Sequence, residues 1–358
     1  MTADLRWVLR HVRPAAGRLA LAALAAAGAL GAAVGLLATS AWLIATAALH
    51  PPVLTLTVAI VTVRACALAR GGLRYLERLI SHDAALRVLS GLRVGIYRQL
   101  ERLTPGGLGN PRTGDVLSRV VADVDAVQDL LLRVLLPMLA ATLVTVGTLA
   151  LLAALVPAAA VVAGAAAVFS AVAVPLLTTR LAARAERGTA AARGELSAEV
   201  VDLLHSAGDV VAFGAADRRL AGVRDRDDAL TGLLRRAAAH AGAGTGLALL
   251  GGGVAVAGCL FTGIGALRAG ALSGPELAVL VLTPLALWEA LIALPPALQR
   301  LPGLAAAAGR LRALETMPVP VAEPTEPAAL PAGPADWRAR DLALRWPATG
   351  RDAVAGFG

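Results

Sequence analysis

Polar and apolar positions in this chain separate into long blocks instead of alternating. No Asp, Glu, Lys or Arg occurs from Leu19 to Val63, and none from Val134 to Thr179. Each block is about 45 residues, or about 67 Å as one helix, whereas roughly 20 residues cross a bilayer. Each block therefore predicts a hairpin of two membrane helices. The breakers lie near the middle: His50-Pro51-Pro52 in the first block and Val156-Pro157 in the second. A third pair is predicted over Ala237–Leu267 and Leu277–Leu298, interrupted by Arg268-Ala-Gly-Ala-Leu-Ser-Gly-Pro275. The pattern as a whole predicts an all-α membrane protein with six transmembrane helices.

The charged stretches between hairpins set the expected orientation. Arg6, Arg10, Arg13 and Arg18 precede the first span, and the segments Arg64–Arg133 and Arg180–Arg236 are arginine-rich. The three short turns carry only Arg268 between them. The excess of positive charge on one side places both termini in the cytoplasm, with Pro51, Pro157 and Gly274 outside and Asn110, Gly208 and Pro324 inside. The two inner segments read as long cytoplasmic extensions. A helix continues through Leu73–Leu103, breaks at Thr104–Gly114 and restarts at Asp115. In the second segment a helix runs from Thr178 to about Leu204. A turn follows near Ser206–Asp209, then a short amphipathic piece, and a helix begins near Asp217. Paired helices joined by short connectors suit docking onto a cytoplasmic partner.

Beyond the sixth span, Met317–Pro334 is proline-rich and reads as an extended linker. Trp337–Trp346 then alternates like a strand. The expected division is a transmembrane domain over 1–315, a linker over 316–335 and the start of another domain over 336–358.

Composition agrees with the membrane reading. The chain is 57% hydrophobic and 16% charged, with mean hydropathy +0.70. Soluble domains are less apolar and carry about 25% charge. Aromatics at 3% argue against a barrel with aromatic girdles. All 33 basic residues are arginine, so the chain contains no lysine-bearing phosphate loop. The net charge of +8 is accounted for by topology and does not require a nucleic-acid partner. Cys66 and Cys259, both in apolar surroundings, make no disulfide framework.

Two segments resemble a known family. Thr113-Gly114-Asp115-Val-Leu-Ser-Arg119-Val-Val-Ala-Asp123-Val-Asp125 resembles the "TGD-LxSR-xxxDVD" segment of type I ABC exporters, at the first coupling helix. Arg74-Tyr75-Leu76-Glu77-Arg78-Leu79-Ile80-Ser81-His82-Asp83, together with Ser40-Ala41-Trp42-Leu43, is similar to the CydC-type subunits of the exporter for cytochrome bd biogenesis. The resemblance implies an ABC transporter type 1 transmembrane domain paired with a CydD-like subunit and served by nucleotide-binding domains at its coupling helices. It further implies a place in the cytoplasmic membrane and export of cysteine and glutathione. Haem binding or transport is implied as well. The family continues into a complete ATP-binding cassette, whereas this chain carries no Walker A, signature or Walker B motif and stops beyond a first strand. ATP would therefore act through a missing or partner nucleotide-binding domain. Trp346 resembles the adenine-stacking position.

The polar residues admit two readings each. Arg70, Arg74, Arg78 and His82 recur every four residues and share neighbouring helix faces. They form either a solvated helix end or a positive cavity mouth that takes carboxylates bidentately. Arg64 lies deeper in the span, where an unpaired charge is costly, so it is expected in the bundle interior. Glu289, beside Trp288 in the sixth span, is either the partner of Arg64 or a contact for substrate in a cavity formed with Arg64 and Arg70. His82 is structural or, with Arg78 and Arg74 reaching propionates, an axial ligand of haem. His11, His50, His205 and His240 read as structural. A haem-binding assembly factor without a transport cycle, and a lipid or drug exporter half, are the competing functions.

Overall fold

The computed structural model describes residues 2–104, 113–319, 333, 340, 342–345 and 352–357. The expected linker and Trp346 fall largely or wholly outside the described residues, as do Asn110 and Pro324. Eleven helices and a two-stranded sheet occur among those described: α1 (Thr2–Val12), α2 (Ala16–Ala47), α3 (Val53–Leu103), α4 (Thr113–Leu130), α5 (Leu136–Leu155), α6 (Pro157–Val168), α7 (Val174–His205), α8 (Ala207–Ala212), α9 (Ala216–Arg268), α10 (Gly274–Leu291), α11 (Leu294–Glu315), β1 (Leu342–Arg345) and β2 (Asp352–Phe357). Among the described residues, six segments are long and apolar enough to cross a membrane. The fold is all-α and multi-pass, and the hairpin breaks sit where the prolines stand. α3 and α9, with 51 and 53 residues, would each reach about 75–80 Å, far beyond a bilayer core.

The chain divides into two compact units. The larger comprises Gly17–His82 and Leu131–Pro302. Its axis is α9, against which α6, α7 and α10 pack, while α5 packs on α6 and α10. The core is built largely from small and branched side chains, among them Ala159, Ala163, Ala255, Leu280 and Leu287. Small residues let membrane helices approach closely, and close packing drives their association where no hydrophobic effect acts between them. Two glycines show this directly. A Cβ on Gly252 would stand 2.8 Å from the Trp288 ring, and one on Gly28 of α2 would stand 3.1 Å from Leu73 of α3.

Two π-helical turns interrupt the bundle, at Leu131–Leu135 and Phe169–Ala173. Each lies just before a proline, Pro137 and Pro175. A proline lacks the N–H and its ring collides with the carbonyl four residues back, here Arg133 and Ala171, so the ladder widens by one residue. A third proline effect divides the last span. The sequence predicts one segment over Leu277–Leu298, but α10 ends at Leu291 and α11 begins at Leu294. Pro295 and Pro296 cannot donate to the carbonyls of Leu291 and Ile292, so the ladder stops there.

The turns are chemically defined. After α9, Gly270 adopts φ +71, its N–H donates to Leu267 O, and Ala271 N–H donates to Ala266 O. Those two bonds make a Schellman motif, which requires the left-handed conformation that glycine enters freely. α10 then starts on a reciprocal capping box between Ser273 and Glu276.

The smaller unit comprises Met1–Ala16, Asp83–Leu130 and Gly303–Gly358. α1 is clasped to the end of α11: the Trp7 indole N–H donates to Glu315, and His11 Nε2 lies 3.5 Å from Glu315 Oε1. Arg312 pairs with Asp4 at 3.0 Å. Arg310 grips buried Asp123 of α4 through two donors, with Nε 2.8 Å from Oδ2. In the far carboxy-terminal segment, β1 pairs antiparallel with β2 (Leu342 opposite Phe357, Leu344 opposite Val354), a second strand that the alternation reading did not foresee.

Candidate functional site

Within the larger unit, α2, α3 and α10 enclose a cavity of about 390 Å³ lined by Ala29, Leu30, Ala67, Arg70, Gly71, Arg74 and Glu289. Arg70 and Arg74 stand one turn apart on α3, so both guanidiniums reach the same space. Gly71 and the small residues Ala29 and Ala67 leave room between them. Arg70 Nη2 donates to Glu289 Oε1 at 2.6 Å. The expected partner of Glu289 was Arg64; that residue lies six positions, or about 9 Å of helix, from Arg70 and does not line the cavity. Arg64 is exposed on this chain.

Glu289 is held by its neighbour. Trp288 is buried, its indole N–H donates to Ala248 O of α9 at 2.6 Å, and its ring fills the space left by Gly252. Ser170 in the second π turn donates to the same carbonyl at 3.4 Å. Trp288 thus pins α10 to α9 one residue before the carboxylate. Sequence reasoning passed over this wedge, although Gly251-Gly252-Gly253 in a membrane span signals close approach of a neighbouring helix.

The ion pair itself is open. The Arg70 and Glu289 side chains are 47% and 42% exposed. Pairs of that exposure contribute about 0–1 kcal/mol to stability. Two charges inside an otherwise apolar bundle are therefore poorly explained by stability alone. What the arrangement can do chemically is bind a zwitterion: two arginines for carboxylates and one carboxylate for an ammonium group.

Arg78 and His82 are also exposed on α3, on a face that carries exposed Tyr75 and Leu79. They do not line the Arg70–Arg74 cavity. Spacings of three and four residues place Tyr75, Arg78, Leu79 and His82 together. That face offers an imidazole, a guanidinium and apolar surface, a donor set that fits a planar macrocycle bearing carboxylates. Asp83, next to His82 in sequence, is engaged with Arg87 at 2.9 Å. Among the other histidines, His205 Nδ1 lies 2.9 Å from Val201 O, and His50 occupies the turn after α2 with φ +53. Cys66 sits opposite Gly35 and Cys259 is fully buried. Among the described residues no group of three or more metal-ligating side chains occurs. The side chains of Thr113–Arg119 and Trp346 lie outside the described residues.

The ABC transporter transmembrane region matches residues 19–287. The glutathione/L-cysteine transport system ATP-binding/permease protein CydC of Escherichia coli (strain K12) is 31% identical over 250 residues, covering 70% of this chain and 44% of that protein. The protein of the same name from Haemophilus influenzae is 31% identical over 191 residues, 53% of this chain and 33% of its own length. The CydD protein of the corresponding system in Bacillus subtilis (strain 168) is 36% identical over 141 residues, 38% of this chain and 24% of its own. Each alignment thus spans less than half of the curated relative.

Proposed function

The chain belongs to the ABC transporter transmembrane-region family, and from that premise we propose that it is the membrane half of a CydC-type exporter moving glutathione and L-cysteine across the cytoplasmic membrane. The observation that carries this reading is the cavity in which Arg70 and Arg74 face Glu289. Both thiols present an α-ammonium beside an α-carboxylate, and glutathione adds a second carboxylate. A substrate carboxylate would displace Glu289 from Arg70 or engage Arg74 directly, while the ammonium meets Glu289. The exchange replaces one weak, half-exposed pair by two charge-assisted contacts.

In this proposal both termini are cytoplasmic, and the exposed face of α3 meets a CydD-like subunit. Nucleotide-binding domains dock on the connectors between α3 and α4 and between α7 and α9. β1 and β2 belong to the start of such a domain, and ATP hydrolysis is supplied outside these 358 residues. The test is ATP-dependent glutathione uptake into inside-out vesicles. Vesicles holding this chain, a CydD-like subunit and nucleotide-binding domains should accumulate glutathione. Those with the chain alone should neither accumulate it nor hydrolyse ATP above background. Equal uptake with and without the chain would overturn the proposal.

A second ligand is favoured by the Tyr75–His82 face. Haem, when bound, would supply a Lewis-acidic iron and two propionates. His82 would hold the iron through its imidazole, and Arg78 and Arg74 would hold propionates. His82→Ala should remove the Soret shift on haem titration and Arg78→Ala should weaken affinity, whereas His50→Ala should do neither. An unchanged spectrum and affinity in His82→Ala returns this face to a solvated helix end.

A further inference from the structure

We propose that the amino-terminal helix and the end of α11 form a binding site for the phosphate of an anionic phospholipid. The smaller unit contains a cavity of about 600 Å³ lined by Arg6, Leu9, Arg10, Arg13 and Arg312. Arg6, Leu9, Arg10 and Arg13 follow positions i, i+3, i+4 and i+7, so they stand on one face of the amino-terminal helix and its 3₁₀ extension. The opposite face buries Trp7, Val8 and Val12. That packing fixes the helix and leaves the basic face outward.

Topology alone asks for arginines near the membrane but not for their convergence. Here four guanidiniums from opposite ends of the chain line one cavity, and no carboxylate lines it with them. Like charges gathered this way repel one another unless an anion sits between them. Asp4 engages Arg312 Nη2 at 3.0 Å, and Glu315 lines a separate cavity that Arg10 also borders. The Nε of Arg312 is nonetheless buried with no hydrogen-bond partner among the described residues. Arg6, Arg10 and Arg13 form no ion pair among those residues either. A phosphate oxygen would supply the missing acceptor and neutralise the cluster at once.

The same wall argues for a lipid headgroup over free phosphate. Leu9 lies among the arginines and is 54% exposed, and the uncharged run that enters the membrane begins at Leu19, six residues after Arg13. An amphipathic helix with arginines and an exposed apolar side chain, next to a membrane entry point, lies at headgroup depth. The inference does not depend on which substrate the chain moves.

The full chain is reconstituted in nanodiscs of phosphatidylglycerol and phosphatidylcholine in equal amounts, extracted gently, and its retained lipid quantified by mass spectrometry. Retained lipid should be enriched in phosphatidylglycerol. Arg10→Gln with Arg13→Gln should cut that enrichment roughly tenfold. Lysine at both positions preserves the topology signal and should retain part of the enrichment. Arg235→Gln with Arg236→Gln, an exposed pair on α9, should leave it intact. Equal retention of the two lipids, or enrichment undiminished in the glutamine double variant, would overturn the proposal. Displacement of phosphatidylglycerol by inorganic phosphate would overturn the lipid assignment in favour of free phosphate.

Discussion

The membrane part of α3 and the neighbouring α10 are both apolar spans, yet they are used in opposite ways. Among residues 53–82 of α3 only Ala59 and Ser81 are buried. In the 18-residue α10, by contrast, Leu280, Thr283, Pro284, Ala286, Leu287, Trp288, Ala290 and Leu291 are buried. Both qualify as spans by hydropathy, which does not say which of them is buried. Their contacts do: α10 is wedged into α9 by Trp288, whereas α3 touches α2 along one seam, where Gly28 meets Leu73 and Gly35 meets Cys66. A scaffold helix thus presents one carboxylate to an open helix bearing a row of arginines. Charges at bilayer depth are costly in lipid, so the α3 row points to a water-filled space or to another subunit.

That contrast can be broken in four ways, in order of expected effect. The first is all-or-none. Cysteines placed at Leu68 and Tyr75 of α3 should react fully with a maleimide in detergent, and one at Leu287 should not react. Co-expression of a CydD-like subunit should protect the α3 positions, and unprotected labelling there would remove α3 from the subunit interface. The second is overpacking. Gly252→Leu should lower stability by at least about 2 kcal/mol, because its Cβ alone meets the Trp288 ring. Gly72→Leu on α3 has open space and should stay within about 0.5 kcal/mol, measured by thermal unfolding in detergent.

Third, Trp288→Phe keeps a smaller aromatic ring and removes the donor to Ala248 O, which should cost at least about 1–2 kcal/mol in the same assay. Fourth, Arg70→Gln should change stability by less than about 1 kcal/mol, because the pair with Glu289 is half-exposed. A loss of several kcal/mol would mark that pair as structural.

Much of the architecture was legible in the sequence because it rests on local signals. Uncharged blocks fixed the spans, and His50-Pro51-Pro52 and Val156-Pro157 fixed the hairpins. The start of α9 at Ala216 and the short α8 follow from composition changes nearby. What was not legible depends on geometry that accumulates along a helix or on distant pairing. Arg70 and not Arg64 meets Glu289 because six residues shift the contact by about 9 Å, a register that apolar composition does not encode. The break at Ile292–Ala293 was visible in Pro295-Pro296 but was absorbed into a span counted by hydropathy. The clasp of Trp7 on Glu315 joins residues 308 apart, and no local pattern announces it.

The central claim is that the cavity of Arg70, Arg74 and Glu289 receives the substrate. Arg74 tests it most directly, since it lines the cavity without being the hydrogen-bonded partner of Glu289. The measurement is the KM for glutathione in ATP-driven uptake by inside-out vesicles containing the assembled transporter, comparing the natural chain with Arg74→Gln. Loss of one charge-assisted carboxylate contact should raise KM about tenfold or more while leaving the amount of assembled transporter unchanged. An unchanged KM at equal assembly would contradict the claim and return the α3 arginines to the role of a solvated helix face.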